Sequence, residues 1–187
     1  MSLNLLVVIS SVAAVLVLVL VISRSLRHTP TGRQDPLRVF CLPREQWTVI
    51  GGDIGSIAKP IHLHGQQSAG TPDALFEHVD GHALLIGELK SRRYRGQVRW
   101  REFFQVQHYA LLARRRWRGK RILVRIRYAD CWVDIEPSPK VGASLEAMAD
   151  EALSARHKGK LINEQPLQLR LPELAANDSP PVHRCGQ

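Results

Sequence analysis

Two β-compatible runs meet at an Asp-Gly dipeptide near the middle of this chain, and no other feature restricts its fold as strongly. The runs are 73–79 and 82–90, and Asp80-Gly81 lies between them. Asp-Gly is typical of a two-residue type I′ turn, which needs a positive φ at both turn positions. The sequence therefore predicts a β-hairpin, and a hairpin determines which residues face each other across its strands.

The predicted turn determines the pairing of the two strands. It pairs Glu77 with Leu84, and the same register places Asp73 directly opposite Glu88. Because side chains alternate along a strand, Lys90 lies on the same face as Glu88. Opposed side chains have Cβ atoms roughly 4.5 to 5.5 Å apart, so the two carboxylates repel each other unless a cation or a proton lies between them.

We therefore expect Asp73 and Glu88 to bind a divalent cation. Hard carboxylate oxygens favour Mg²⁺ or Mn²⁺, and such a site leaves coordination positions for water and a phosphate. The cation would lower the pKa of its water and polarise phosphorus, while Lys90 orients the hydroxide or offsets charge in the transition state. These three residues form the predicted catalytic centre. The alternative is that each is an ordinary residue at the edge of a strand.

The same residues resemble the motif of the PD-(D/E)XK nuclease superfamily. Pro72-Asp73 is followed, after a strand-turn-strand interval, by Glu88-Leu89-Lys90. Further along, Gln105-Val-Gln-His-Tyr109 is similar to the Gln-x-x-x-Tyr motif of the RecB-like branch and of the related CRISPR-associated adaptation exonucleases. The resemblance is concentrated in residues 70–109. It implies a restriction-endonuclease-like α/β fold, with a mixed central β-sheet flanked by helices.

The resemblance also implies roles for individual residues. In the RecB-like branch the Gln and Tyr help to position nucleic acid or support the metal site, which implies substrate-positioning roles for Gln105 and Tyr109. It further implies that the backbone carbonyl of Leu89 is a metal ligand beside Asp73 and Glu88.

Members of this branch often carry an upstream His as an additional metal ligand, for which His62 or His64 is the candidate. Relatives with an iron–sulfur cluster bind it through four cysteines. This chain has only three, so we predict no iron–sulfur cluster; they are Cys41, Cys131 and Cys185.

The chain is basic, with 26 Lys and Arg residues against 17 Asp and Glu residues and a net charge of +9. Such a surface attracts polyanions or acidic lipid, although many soluble proteins are basic without such a ligand. Basic residues bracket the Gln105 helix, with a second run at 114–121. Trp100, Tyr94 and Trp117 lie among them and either stack on unpaired bases or anchor the helix. The predicted contacts to DNA phosphates are Arg92, Arg93, Arg95, Arg99 and Arg101.

An apolar run precedes the domain. Residues 5–22 contain no charged side chain, and as a helix such a run is long enough to cross the roughly 30 Å hydrocarbon layer of a membrane. The basic residues that follow favour an uncleaved anchor over a signal peptide and place the rest of the chain in the cytoplasm. We predict a transmembrane helix at 4–23, a linker at 24–36, the nuclease-like domain at 37–165 and a polar, Pro-containing tail at 166–187.

The remaining elements of the predicted domain are strands and helices. Short strands are expected at 38–42 and 47–50. Apolar periodicity predicts a helix at 100–114, strands at 122–128 and 131–135, and a second helix that begins at a Ser144 cap and ends near His157.

Two alternatives to a DNA-cleaving enzyme remain. The first is a catalytically inactive nuclease-fold module that binds nucleic acid at the membrane. The second is a membrane-surface scaffold whose arginines contact anionic lipid or a partner protein. Metal-dependent cleavage distinguishes the enzyme from both.

Overall fold

The structure, a computed structural model, describes residues 34–56, 59–65, 68–158, 165, 167–171, 174, 180–182 and 184–186. The predicted transmembrane helix at 4–23, most of the predicted linker and much of the predicted tail lie outside these residues. Within the described ranges, no helix combines the length and the apolar character that a membrane crossing requires.

A mixed β-sheet is the centre of the fold. Among the described residues it has six strands, in the spatial order β1-β4-β5-β6-β7-β8. The β5/β6 pair is parallel and the other neighbouring pairs are antiparallel. A separate two-stranded sheet is formed by β2 and β3. The strands are β1 (Trp47–Gly52), β2 (Leu63–His64), β3 (Ala69–Gly70), β4 (Ala74–His78), β5 (Ala83–Leu89), β6 (Arg121–Arg127), β7 (Trp132–Ile135) and β8 (Arg184–Gly186).

Three α-helices accompany these strands in the described part of the chain: α1 (Pro36–Val39), α2 (Trp100–Arg116) and α3 (Pro139–Lys158). Short 3-10 helices lie at Ile54–Ser56 and Leu167–Arg170. Parallel neighbours need a crossover connection, and α2 supplies it between β5 and β6. It packs against both strands and against α3. The predicted class, a mixed α/β fold with a mixed sheet flanked by helices, is confirmed at this level.

Each face of the sheet carries its own apolar cluster, because side chains alternate along each strand. On β5, Leu84 and Ile86 face α2 and belong to the larger cluster. Leu85 belongs to the smaller cluster on the other face, together with Phe40 and Trp47. Glu88 continues the alternation of Leu84 and Ile86, so a carboxylate lies on the buried face beneath α2.

The strand register of the β4–β5 hairpin is the one that the sequence predicts. Glu77 pairs with Leu84, and the ladder continues to Ala74 opposite Gly87. The next residues along this register are Asp73 and Glu88. The predicted opposition of the two carboxylates therefore has its structural basis in the observed ladder.

The turn of this hairpin differs from the predicted type I′ turn. Gly81 has a φ of 75°, but Asp80 does not have a positive φ. Instead, the Gly81 N–H donates to the His78 carbonyl at 2.8 Å, and the Asp80 Oδ1 accepts from the His82 N–H at 2.8 Å. A short acidic side chain that binds a nearby N–H replaces the strained backbone of the type I′ turn. The register is retained because the loop at 79–82 is centred on the same dipeptide.

Three other local predictions need correction. The predicted strand at 38–42 is wrong, because Asp35 caps a helical turn with Pro36 at its first position. The second long helix begins at Pro139 rather than at a Ser144 cap, and the Ser138 Oγ accepts from the Val141 N–H at 3.3 Å. Parts of the predicted tail belong to the fold, since β8 pairs with β7 and Leu171 is buried.

Candidate active site

Asp73 and Glu88 lie side by side at the end of the hairpin that is opposite to its turn. Asp73 immediately precedes β4, and Glu88 is the penultimate residue of β5. The Asp73 Oδ2 accepts a hydrogen bond from the Leu89 N–H at 2.7 Å. This bond holds the Asp73 side chain across the strands, next to the carboxylate of Glu88.

Four of the predicted site residues form one hydrogen-bonded network. The Glu88 Oε1 accepts from the Lys90 Nζ at 2.7 Å and from the Gln105 Nε2 at 2.8 Å. The Lys90 Nζ also donates to the Gln105 Oε1 at 3.1 Å. The Gln105 Nε2 lies 2.9 Å from the Tyr109 hydroxyl, to which it donates. Gln105 and Tyr109 are one helical turn apart, so α2 presents both to the end of β5.

Glu88 is the most unusual group in the network. It is only 4% exposed, and its Oε2 is a buried oxygen without a hydrogen-bond partner among the described residues. A buried carboxylate oxygen without a donor is energetically costly, so it needs a compensating positive charge or a proton. The Glu88 carboxylate therefore lacks one electropositive partner among the described residues.

Both carboxylates resist ionisation in this environment. Burial raises the pKa of Glu88, and the nearby charge of Asp73 raises it further, against the hydrogen bond from Lys90. Burial also raises the pKa of Asp73, although the Leu89 N–H and the charge of Lys90 lower it. One ammonium therefore compensates two carboxylates incompletely, and a divalent cation would supply the missing charge.

The residues present fit a hard divalent cation. Mg²⁺ is commonly bound by one or two carboxylates and several waters, which Asp73 and Glu88 match. Zinc usually takes three or four protein ligands, rich in His or Cys. Across the described ranges, no group of three or more His, Cys, Asp and Glu side chains is placed to hold a metal ion. The donor set thus favours Mg²⁺ or Mn²⁺, and the Leu89 carbonyl stays a predicted ligand.

The candidate histidine ligands do not complete a metal-binding group with the two carboxylates. His62 and His64 are both exposed, and their rings are 6.5 Å apart. The His62 Nδ1 lies 2.8 Å from the Thr71 Oγ1. Neither histidine joins Asp73 and Glu88 in a metal-binding group.

Tyr109 lies between the site and the two-stranded sheet of β2 and β3. It is buried, and Gly70 of β3 lies directly against its ring. Burial raises the pKa of Tyr109, and the charges of Glu88 and Asp73 add to this effect, against the hydrogen bond from Gln105. The phenol therefore keeps its proton at neutral pH.

Arg92 has a structural partner that no sequence motif indicates. Its Nε donates to the Glu102 Oε1 at 3.0 Å and its Nη2 to the Oε2 at 2.6 Å. Glu102 is 2% exposed and also accepts from the Tyr128 hydroxyl at 2.9 Å. Burial raises the pKa of Glu102, but the bonds from Arg92, the Arg99 N–H and Tyr128 outweigh burial and lower the pKa to about 2. Arg92 thus fastens the loop after Lys90 to the start of α2.

The other predicted DNA contacts are exposed on or beside the same loop; they are Arg93, Arg95, Arg99 and Arg101. Basic residues of the second run, at 114–121, form ion pairs within the protein. Arg115 pairs with Glu146 and Lys120 with Glu77. The aromatic residues also pack against the protein itself, with Tyr94 against Tyr128 and Trp100 against Phe103 and Phe104.

A cavity of about 590 Å³ lies on the other face of the sheet. It is lined by residues of the smaller apolar cluster, such as Leu42 and Leu85, and by Arg125. Arg125 is already paired with Asp134 through bonds of 2.7 and 3.0 Å. None of the predicted catalytic residues lines this cavity.

Comparisons of the chain with protein-family models, with curated proteins and with solved structures found no match. The functional interpretation therefore depends on the geometry of the carboxylate site and on the motifs that the sequence carries.

Proposed function

We propose that this protein is a metal-dependent nuclease that hydrolyses DNA phosphodiester bonds. One observation carries the proposal. Glu88 is bonded to Lys90 and Gln105, lies beside Asp73 and has a buried oxygen with no partner among the residues that the structure describes. A structural ion pair would satisfy both oxygens, whereas a site for a cation must leave one available.

The topology supports the restriction-endonuclease-like fold that the sequence resemblance implies. The hairpin β4–β5 leads through α2 to the parallel strand β6. This arrangement places the end of β5 and one face of α2 at the same edge of the molecule, where Asp73, Glu88 and Lys90 meet Gln105 and Tyr109. The motif residues that come together are those that the resemblance assigns to the active site.

Each residue has a chemical role in the proposed reaction. Asp73 and Glu88 hold the cation, together with the Leu89 carbonyl. The chemistry that a bound Mg²⁺ or Mn²⁺ supplies is a lower pKa for its water and polarisation of a phosphoryl oxygen. An ammonium has three donors, and Lys90 uses two of them on Glu88 and Gln105. The third is available to orient the attacking water or to contact the scissile phosphate.

Gln105 and Tyr109 position these groups. Gln105 bonds to Glu88, Lys90 and Tyr109 at once, so its amide fixes the orientation of all three side chains. DNA is the proposed substrate because exposed arginines follow Lys90 directly and carry the charge that attracts phosphates. The proposed membrane tether at 4–23 would keep this reaction at the cytoplasmic face of a membrane.

The proposal is tested with the full-length protein in a mild detergent. Linear, circular and single-stranded DNA are incubated with it in Mg²⁺, in Mn²⁺ or in EDTA. We expect cleavage that depends on the metal and falls at least about 100-fold in Asp73→Asn, Glu88→Gln and Lys90→Ala, since each removes an electrostatic contribution to the transition state. Glu45→Gln is the control, because Glu45 is an exposed acidic residue outside the site.

Two outcomes contradict the proposal. If wild type cleaves nothing while it still binds DNA, the chain is a nucleic-acid-binding module instead. If the three site variants cleave as fast as Glu45→Gln, the activity belongs to other residues. Circular DNA that is cut as readily as linear DNA indicates an endonuclease.

A further inference from the structure

The end of strand β1 lies beside the proposed cation site. The Asp53 N–H donates to the Asp73 carbonyl at 2.9 Å. At the preceding residue, Gly52, a Cβ atom would lie only 2.6 Å from the same carbonyl oxygen. Glycine is needed there because the two backbones approach so closely. The close approach brings Asp53 next to Asp73, although the two are far apart in sequence.

The carboxylate of Asp53 is exposed to solvent and has no hydrogen-bond or ion-pair partner within the described part of the chain. The Asp53 backbone is bonded to that of Asp73, so the Asp53 charge lies near the two proposed cation ligands. The fold thus places a third acidic residue beside a pair of carboxylates that one ammonium compensates incompletely. Repulsion of this kind is tolerated where a cation binds.

An independent observation indicates that the cluster takes a ligand. The Glu88 Oε2 is buried and has no partner in the described part of the chain, and its side chain is only 5% exposed. The described side chains contain no group of three acidic residues close enough to ligate one ion directly. Mg²⁺ and related hard cations usually keep several of their waters when they bind to proteins. A third carboxylate can therefore act through such a water.

We propose that Asp53 is a third acidic residue of the cation site, and that it accepts hydrogen bonds from the hydration shell of a divalent cation held by Asp73 and Glu88. The proposal rests on the proposed function, since it requires the same cation. Groups that bind the ligands or waters of a metal from outside the first coordination shell typically change metal affinity by about 10- to 100-fold.

The test measures Mn²⁺ binding rather than cleavage. Full-length wild type and variants are titrated with Mn²⁺ alone, and the free Mn²⁺ is followed by electron paramagnetic resonance. We expect Asp53→Asn to bind Mn²⁺ about 10-fold more weakly than wild type. Glu45→Gln is the matched control: Glu45 is an exposed acidic residue shortly before β1, as Asp53 directly follows it. Its affinity for Mn²⁺ stays that of wild type.

The outcomes separate this inference from the proposed function. If wild type binds Mn²⁺, Glu88→Gln abolishes binding and Asp53→Asn binds as wild type does, the role of Asp53 is refuted and the proposed cation site stands. If Asp53→Asn and Glu45→Gln weaken binding equally, only the net charge matters and the inference is also refuted. If wild type binds no Mn²⁺, the proposed function and the inference fail together.

Discussion

Two buried glutamates lie near the two ends of the connection between β5 and α2, and their environments differ. Glu102 is paired with Arg92, and both of its oxygens accept hydrogen bonds, so its pKa falls to about 2. Glu88 is paired with Lys90, but one oxygen has no described partner and burial raises its pKa. The first glutamate stabilises the fold. The second holds an incompletely compensated charge that a cation would stabilise.

The same substitution in both glutamates should have very different effects on stability. Glu102→Gln removes the charge that pairs with Arg92, whose side chain is only 21% exposed. Breaking a buried pair from one side costs about 3 to 5 kcal/mol, and the partial exposure of Arg92 favours the lower value. Glu88→Gln should lower the free energy of unfolding of the cation-free protein by about 1 kcal/mol or less, because burial and Asp73 already disfavour the ionised form and the amide oxygen can still accept hydrogen bonds.

Urea titrations in EDTA, followed by tryptophan fluorescence, measure this difference. Glu45→Gln, at an exposed position, gives the baseline for the loss of one acidic residue. Equal losses of stability in Glu88→Gln and Glu102→Gln would show that the two ion pairs are equivalent, and the distinction between them would be lost.

The dependence of stability on pH should reveal Glu102 separately. Its pKa is about 2 in the folded protein, against about 4.3 in an unfolded chain. The unfolded state therefore binds more protons between these values, so the contribution of Glu102 is complete above about pH 4.3 and is lost as the pH falls toward 2. Wild type and Glu102→Gln should converge in stability over this window. A difference that stays constant from pH 6 to pH 3 would contradict the role of Glu102.

A divalent cation should stabilise the protein through Glu88 and not through Glu102. At a concentration about 100 times the dissociation constant, a ligand that binds only the folded state adds about 2.7 kcal/mol to the free energy of unfolding. We expect Mn²⁺ to raise the Tm of wild type and of Glu102→Gln by comparable amounts, and not to raise that of Glu88→Gln. Stabilisation of Glu88→Gln by Mn²⁺ would place the cation elsewhere.

The predictable part of this molecule consists of features that are encoded locally. Asp80-Gly81 was enough to predict the register of β4 and β5, and thereby the proximity of Asp73 and Glu88, even though the turn itself has another conformation. Gln105 and Tyr109 were predictable because a helix places residues four apart on one face. The helical turn at 36–39 was predictable in principle, since Asp35 and Pro36 are typical of a helix start.

The unpredicted part depends on tertiary contacts. Glu102 is bonded to Tyr128, which is far away in sequence and reaches it only because β6 lies parallel to β5. Arg92 belongs to a cluster of arginines with the same local pattern, so only the structure distinguishes it from its exposed neighbours. Asp53 approaches Asp73 through the pairing of β1 with β4, which no local motif indicates.

The arginines of the loop after Lys90 provide the most specific test of the difference between Glu88 and Glu102, and its expected effect is the smallest. Arg92 is held by Glu102, whereas Arg93 is exposed. A phosphate contact changes the slope of log affinity against log salt by about one unit. In Arg93→Gln the plot of log DNA affinity against log salt should therefore be less steep by about one unit. Fluorescence anisotropy in Ca²⁺ measures this affinity. Arg92→Gln should leave the slope unchanged but lower the urea midpoint.

Arg44→Gln, at an exposed position before β1, is the control for net charge. If Arg93→Gln and Arg44→Gln have equal slopes, this loop does not belong to the DNA-binding surface.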